Sequence, residues 1–595
     1  MSSPNTLNKV AGGSFIVEQM DYRKVFTPED FTEEHRMIAG TVSDFIEREI
    51  NVLGEEGNKL NYELILKILK KAGDVGLLGA CLPEEYGGLG LDGIRFALIK
   101  EKFSSGGTSI VMSINGQIGI GMLPIIFFGT EEQRRKYLPQ LQAGTLTTAF
   151  ALTEPQSGTD ASGIKTTAKL SEDGKHYILN GSKVFITNAG FADIFVVFAK
   201  INGTDFTAFI VERNSEGLSI GPEEKKMGLK ASSTCSMTFE DVKVPVENML
   251  GKPGKGHLFA FNTLNFGRLS VGAGCLGNTK VALDVSVKYA NQRIQFGRPI
   301  SAFPLIGKKI ADMNIKTFVL ESMVYRTAEL FDTGLQKLDF SDPNVGENSR
   351  GMISEYMLEC AINKVFGSEV LDFAADEGVQ IHGGYGYMQE YEIESIYRDS
   401  RIKRIFEGTN EINRLFLTKN VLKRLAKGQF PDLQQKLDQV SSDAQHDLPD
   451  FTGELDQENH LVSQARKIFY FAFAKALQAY GSKLEDEQEV SSNLGDILIN
   501  LYAMESALLR TKKLMEQTSE RTSQNAKEMT IAFIHEAFDQ ITGFAKEICM
   551  TIQSGDELLN QLSQLDQLSR KVPVNIIELK RQIAARVIQA EKYTV

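Results

Sequence analysis

Three stretches of this chain gather side chains able to do chemistry. Arg404-Ile-Phe-Glu-Gly-Thr-Asn-Glu-Ile-Asn-Arg414 sets one carboxylate, Glu407, after two apolar residues and before a glycine. A carboxylate so flanked can be desolvated, which raises its pKa toward that of a useful general base; an exposed helix-capping Glu is the plainer reading of the same residues. Ala151-Leu-Thr-Glu-Pro-Gln-Ser-Gly-Thr-Asp-Ala-Ser-Gly163 packs hydroxyls and small residues into a turn whose N–H groups suit a planar polar ligand and its phosphates. A Ser/Gly turn ahead of a strand has the same composition. In Gln380-Ile-His-Gly-Gly-Tyr-Gly386, the glycines let backbone approach a ligand closely, as glycine turns between helices also do.

Other chemistries lack their residues. Gly88-Leu-Gly90-Leu-Asp-Gly93 has dinucleotide-loop spacing but follows Pro83-Glu-Glu-Tyr86 rather than a strand. No phosphate-binding GxxxxGK[ST] and no GxSxG occurs, and His535-Glu536 has no second His at zinc-protease spacing. The histidines, His446 among them, are scattered; only His382 sits in suggestive company, and a lone histidine is most often packed. Five cysteines, an odd number with no CxxC pair, give neither a disulfide framework nor a metal site and fit a reducing compartment. A net charge of -12 offers no basic field for nucleic acid.

The elements that must position these motifs follow from periodicity. With 595 residues the chain is long enough for several cores. Residues 26–144 read as helical, with Ile65, Ile68 and Leu69 on one face. Over 145–255 short β-branched and aromatic runs replace that period, with Asn180-Gly181 and Asn202-Gly203 at expected hairpin positions. Helical pattern returns over 256–427, including one helix through Leu276, Leu283, Val287 and Ala290 to Arg293. Residues 428–460 are rich in Asp, Gln, Ser and Pro and read as a linker. Residues 461–595 read as a further helical unit, its last helix opened by Asn575-x-x-Glu578. The fold class is α+β, mostly α. The N-terminus has no signal-like apolar run, no window of 18 uninterrupted apolar residues occurs, and the expected location is cytoplasmic.

The order and wording of the three motifs, with the Pro83-Glu-Glu-Tyr-Gly-Gly-Leu-Gly90 segment, resemble the acyl-CoA dehydrogenase family of flavoproteins from about Phe26 to Lys427. The length and extra helical unit look like its very-long-chain branch. The resemblance implies FAD and oxidation of a fatty acyl-CoA to the trans-2-enoyl-CoA in fatty acid β-oxidation. Glu407 stands at the family's base position, with its own N–H and a ribityl hydroxyl as expected donors to the thioester carbonyl. Some members carry the base on a helix just before an Arg; here that position is Gly267, before Arg268.

For the cofactor, the resemblance implies Leu152, Thr153 and Thr159 along the ring or thioester end, Phe185 and Thr187 beside the flavin, and Thr409, Asn410 and Glu411 after the base. Members usually have Trp at Phe185; this chain has no Trp at all. Arg293, Gln295 and Phe296, with Gln380, Gly383 and Gly384, match the pyrophosphate and adenosine site offered to a neighbouring subunit, so a homodimer is implied. Thr159, Asn265, Arg268 and Gly408 match substrate-side positions, with Arg268 expected at the CoA adenosine end. Gly116, Gly119 and Gly121 thin an apolar helix, which suits a deep channel for a long acyl chain. Electron-transferring flavoprotein is the implied acceptor. An oxygen-using oxidase and a non-catalytic scaffold are the alternatives, though a scaffold needs no Glu407. The C-terminal helices carry no dense basic stripe, which favours packing over a weak peripheral membrane contact.

Overall fold

The computed structural model describes residues 10–90, 92–106, 109–335, 338–342, 345–439 and 448–595. Leu91 of the glycine motif, His446, the first nine residues and 440–447 of the expected linker lie outside them.

Six helices form the N-terminal layer: α1 (Glu33–Phe45), α2 (Tyr62–Asp74), α3 (Gly93–Ser104), α4 (Val111–Gly116), α5 (Leu123–Phe128) and α6 (Glu131–Gln142). Local chemistry fixes their starts: Thr32, Asn61, Asp92 and Thr130 each accept a backbone N–H of the following turn. Ile65, Ile68 and Leu69 face the core as their spacing requires, whereas α3 is buried on nearly every side. Between α4 and α5 the chain makes a π turn, Gln117–Gly121, with Gly119 outside helical dihedrals. Val111–Phe128 has the length and mean hydropathy (1.6) of a membrane span, but 78% of it is buried inside the protein, the condition of a core segment.

The middle layer is an eight-stranded sheet in the order β6-β7-β3-β2-β4-β5-β8, with β1 also paired to β4. Its strands are β1 (Thr148–Ala151), β2 (Thr167–Leu170), β3 (His176–Thr187), β4 (Ile194–Ile201), β5 (Asp205–Glu212), β6 (Leu218–Glu223), β7 (Thr234–Pro245) and β8 (Met249–Leu250). Asn202-Gly203 makes the expected turn between β4 and β5. Asn180-Gly181 does not: it lies inside β3 at a shift in register against β7, where the Asn180 side chain exchanges hydrogen bonds with Asp241. The side chain thus satisfies backbone polarity at a bulge rather than at a turn.

The third layer is a bundle of long helices. α7 (Gly256–Gln292) runs into a small hairpin of β9 (Ile294–Gln295) and β10 (Arg298–Pro299). α8 (Pro304–Leu335), α9 (Val345–Glu355), α10 (Met357–His382), α11 (Glu392–Ser400) and α12 (Asn410–Ala426) follow. Within 428–460, expected as linker, the described residues include helix α13 (Pro431–Gln439), whose Leu433 is buried, and the first turn of α14 (Asp456–Tyr480). α15 (Gln488–Gln517), α16 (Glu520–Ile552), α17 (Gly555–Leu568) and α18 (Ile576–Ala590) complete the chain, Asn575 capping α18.

One apolar core runs from the bundle into these last helices, so the C-terminal unit is packed on the enzyme-like body and not hung from it. Buried charges stitch the junction. Glu505 on α15 receives Arg326 of α8 at 2.7 Å and Arg466 of α14. Arg510 donates to Glu321 at 2.8 Å and to Glu29 at 2.7 Å, and the Tyr593 hydroxyl donates to Glu321 at 2.8 Å.

Candidate functional site

Glu407 and Gly408 form the link between a 3-10 turn (Arg401–Arg404) and α12, and both have left-handed backbone, φ 58° and 83°. That conformation costs a non-glycine residue on the order of 1 kcal/mol or more, so it persists only where neighbours hold it. The Arg268 Nε donates to the Glu407 carbonyl at 3.2 Å, Lys364 Nζ to the Gly408 carbonyl at 2.7 Å, and Asn413 Nδ2 to the Gly408 and Thr409 carbonyls at 2.8 and 3.0 Å. Thr409 accepts the Ile412 N–H and so starts α12. The carbonyls of Glu407, Gly408 and Thr409 are therefore engaged, while the Glu407 N–H has no acceptor among the described residues.

The Glu407 residue is half-buried, but its Oε2 is enclosed and has no hydrogen-bond partner. Burial pushes its pKa up to about 7, with Arg268 and Lys364 only partly offsetting it. Gly267 explains how the carboxylate fits: a β-carbon there would sit 2.9 Å from Oε2. A carboxyl group with such a pKa, beside an unengaged N–H, can take a proton from a carbon acid whose carbonyl that N–H polarises.

The structure brings Asn265, Arg268, Glu407, Gly408 and Thr409 together, and it gives Arg268 a different place from the one expected. Its guanidinium is buried, bonded to the Glu407 carbonyl and to Asn265 Oδ1 (2.8 Å), and lies over the Phe416 ring. One donor goes to the Glu407 loop and one to Asn265 on the same helix, so the group is turned toward Glu407. The Asn410 side chain is likewise taken up by Lys364, Ser368 and Glu369, while Glu411 stands in the first turn of α12.

Leu152, Thr153, Phe185 and Thr187 form a second group where the chain leaving β1 meets β3. The Val184 N–H donates to the Thr153 carbonyl at 2.9 Å. Phe185 has φ 59° at a register shift and is 63% exposed, so its ring stands off the sheet toward open space. Thr159 is exposed further along the same loop. Thr187 meets α4, the point where a β-carbon on Gly116 would lie 3.7 Å from its methyl.

Arg293, Gln295, Phe296, Gln380, Gly383 and Gly384 make a third group on the surface. Phe296 and Gly297, both left-handed, turn the β9–β10 hairpin, and Phe296 is 93% exposed. The Arg293 guanidinium lies 5.4 Å from the Tyr385 ring, which joins the hairpin to the glycine turn after α10. His382 is a packing residue: it stacks on Tyr289 and bonds the Gly378 carbonyl.

Four residues that matter here were not singled out from sequence. Lys364 and Asn413 hold the Glu407 loop. Glu154, fully buried, accepts the Lys165 and Thr166 N–H groups, and Lys183 bridges it (2.8 Å) and the Leu152 carbonyl (3.1 Å), so one ion pair fixes the loop that carries Thr153. A charged residue inside an apolar run, as Lys364 is between Ile362 and Phe366, was the available signal.

Comparison with known proteins agrees with this arrangement along the chain. Residues 32–145, 149–242 and 254–422 match the family models "Acyl-CoA dehydrogenase, N-terminal domain", "middle domain" and "C-terminal domain", and 464–567 matches a second C-terminal domain model. A "Probable acyl-CoA dehydrogenase" of Bacillus subtilis (strain 168) is 50% identical over 587 residues, 98% of each chain. The "Very long-chain specific acyl-CoA dehydrogenase, mitochondrial" of Macaca fascicularis is 35% identical over 558 residues, 89% of this chain and 82% of that one. A crystal structure of an acyl-CoA dehydrogenase complexed with FAD from Bacillus anthracis superposes with TM-score 0.95 at 49% identity, covering 98% of this chain and all of that one. Helical, sheet and helical layers in this order, a loop-held carboxylate and these matches make the chain a member of the acyl-CoA dehydrogenase family.

Proposed function

We propose that this chain is an FAD-dependent acyl-CoA dehydrogenase that converts a long-chain fatty acyl-CoA to its trans-2-enoyl-CoA in β-oxidation. It would work as a homodimer in the cytoplasm and pass electrons to electron-transferring flavoprotein. The observation that carries the reading is the Glu407 carboxylate: enclosed, unpaired at Oε2, raised to about 7, and set beside its own free N–H.

The residues present fit the flavin. Phe185 offers an exposed aromatic face, Thr187 lies between it and α4, and the Glu154–Lys183 pair fixes the loop beneath. Gly383 and Gly384 have nothing near the space a side chain would fill, so backbone is open to the adenosine end. FAD held there would supply the acceptor for a hydride from the substrate β-carbon. Glu407 takes the α-proton, its N–H holds the thioester oxygen, and the buried Arg268 and Lys364 keep the loop in the geometry that aims both.

The exposed apolar surface of Ile294, Phe296, Tyr385, Tyr387 and Met388 supports a second copy of the chain seated on the third residue group. All five cysteines are unpaired, which suits a reducing compartment. The glycine-thinned α4–α5 segment and the C-terminal helices support a long acyl chain.

The test is to purify the chain, confirm bound FAD, and identify the product formed from a long-chain acyl-CoA with electron-transferring flavoprotein as acceptor. Reduction of that flavoprotein with enoyl-CoA formed is expected. Hydrogen peroxide in equal yield to product, with no acceptor needed, would make the chain an oxidase instead.

A further inference from the structure

One buried cation plays no part in the chemistry above. Lys100 on α3 is 1% exposed, and its ammonium donates to one described acceptor, the Asn115 carbonyl at 2.8 Å, with the Phe96 ring 5.3 Å away. An ammonium has three donors, so two N–H bonds are left over. Burial pulls its pKa down to about 7; no Asp or Glu relieves it, and Lys403 pulls the same way. The Cys81 thiol nearby supplies no counter-charge, since burial pushes it up to about 12. A desolvated ammonium without a counter-charge gives up its proton readily, and a carboxylate brought against it would hold it protonated.

The direction in which Lys100 points is specific. Its Nζ lies 3.4 Å from the place a β-carbon of Gly119 would occupy, and no other side chain from elsewhere in the fold comes within 4 Å of that place. Gly119 is the non-helical residue of the π turn, so the backbone is bent away just where the ammonium arrives. One turn earlier the bare face of Gly116 meets Thr187 and Asn188 on the cofactor side. The segment thus bares Gly116 toward the Thr187 strand and Gly119 toward the amine of Lys100. Two hydroxyls on or against this segment, Ser113 Oγ and Thr148 Oγ1, are also buried without partners.

We propose that Lys100 closes the far end of the acyl channel and binds a carboxylate there, so that the favoured substrates are acyl-CoAs carrying an ω-carboxyl group. The proposal rests on the acyl-CoA reading above and narrows its substrate class. A methyl-ended chain leaves the amine without a counter-charge; a carboxylate of the right length keeps it protonated and accepts its two remaining N–H bonds.

The experiment uses the full FAD-loaded chain with pairs of acyl-CoAs of equal length, one ending in methyl and one in carboxylate, over a series of lengths. In the wild type, one narrow range of lengths should favour the carboxylate by at least about tenfold in kcat/KM. In Lys100→Met that ratio should fall by at least about tenfold, chiefly through KM, because the contact is distant from the reacting carbons. Binding of non-oxidisable analogues of the same two kinds, followed by the flavin's visible spectrum, should show the same change, and Lys100→Arg should keep most of the preference. If Lys100→Met does not hold FAD, the wild-type series and the Arg variant decide alone. Absence of a carboxylate preference at every length, or its survival in Lys100→Met, overturns the proposal. Failure of both series to reduce the flavin defeats the acyl-CoA reading itself and is told apart by that result.

Discussion

The carboxylate of Glu407 rests against the bare α-carbon of Gly267, where a β-carbon would lie 2.9 Å from Oε2 and 3.0 Å from Cδ. The two positions, far apart in sequence, share one small volume, so occupying it from α7 displaces the carboxylate. Gly267→Ala should therefore lower kcat by on the order of tenfold to a hundredfold with FAD still bound, the scale expected when a reacting group is moved by about 1 Å. Steady-state kinetics beside the flavin absorption spectrum checks this.

The raised pKa of Glu407 sets a pH dependence. Only the ionised carboxylate can take the α-proton, so kcat/KM should rise with pH through about 7 and level off above it. Arg268 favours the ionised form, and removing its charge in Arg268→Gln should move the midpoint to higher pH. A pH–rate profile of both proteins gives the direction.

The Glu154–Lys183 pair is almost wholly buried, and it ties the Thr153 loop to β3. Lys183→Met leaves a carboxylate in the interior without its cation, which costs about 3–5 kcal/mol. The expected outcome is a lower midpoint in denaturant and faster loss of FAD on dilution. Adding Glu154→Gln should restore part of the stability, which a double-mutant cycle measures.

At the junction with the C-terminal helices, Glu505 neutralises two buried guanidinium groups, those of Arg326 and Arg466. Glu505→Ala strands both, so a loss of about 3–5 kcal/mol is expected. Since one core spans the junction, a single unfolding transition should move as a whole. A separate early transition of the C-terminal helices would contradict that packing.

The layers were legible because helical and strand periods alternate along the chain; the apolar residues before Glu407 and the glycine after it allowed the enclosure of its Oε2, while its role was expected only from the resemblance. Arg268 was misplaced because a resemblance gives a residue's neighbourhood but not where its donors point. The π turn at Gln117–Gly121 reads as three glycines in an apolar run, and only the fold shows which faces they bare. Asn180-Gly181 has hairpin chemistry, but a bulge in the middle of a long strand makes the same demand for an unusual backbone and a local side-chain bond. Lys100, Lys183 and Lys364 gain meaning only from burial, which no spacing rule supplies for a single charge.

The central claim is that Glu407 is the base, and anaerobic mixing of FAD-loaded protein with a long-chain acyl-CoA tests it most directly. Wild-type protein should bleach on mixing, whereas Glu407→Gln should bind the acyl-CoA, perturb the flavin spectrum and stay oxidised, with reduction slowed by at least about a thousandfold. Bleaching of Glu407→Gln at the wild-type rate would contradict the account.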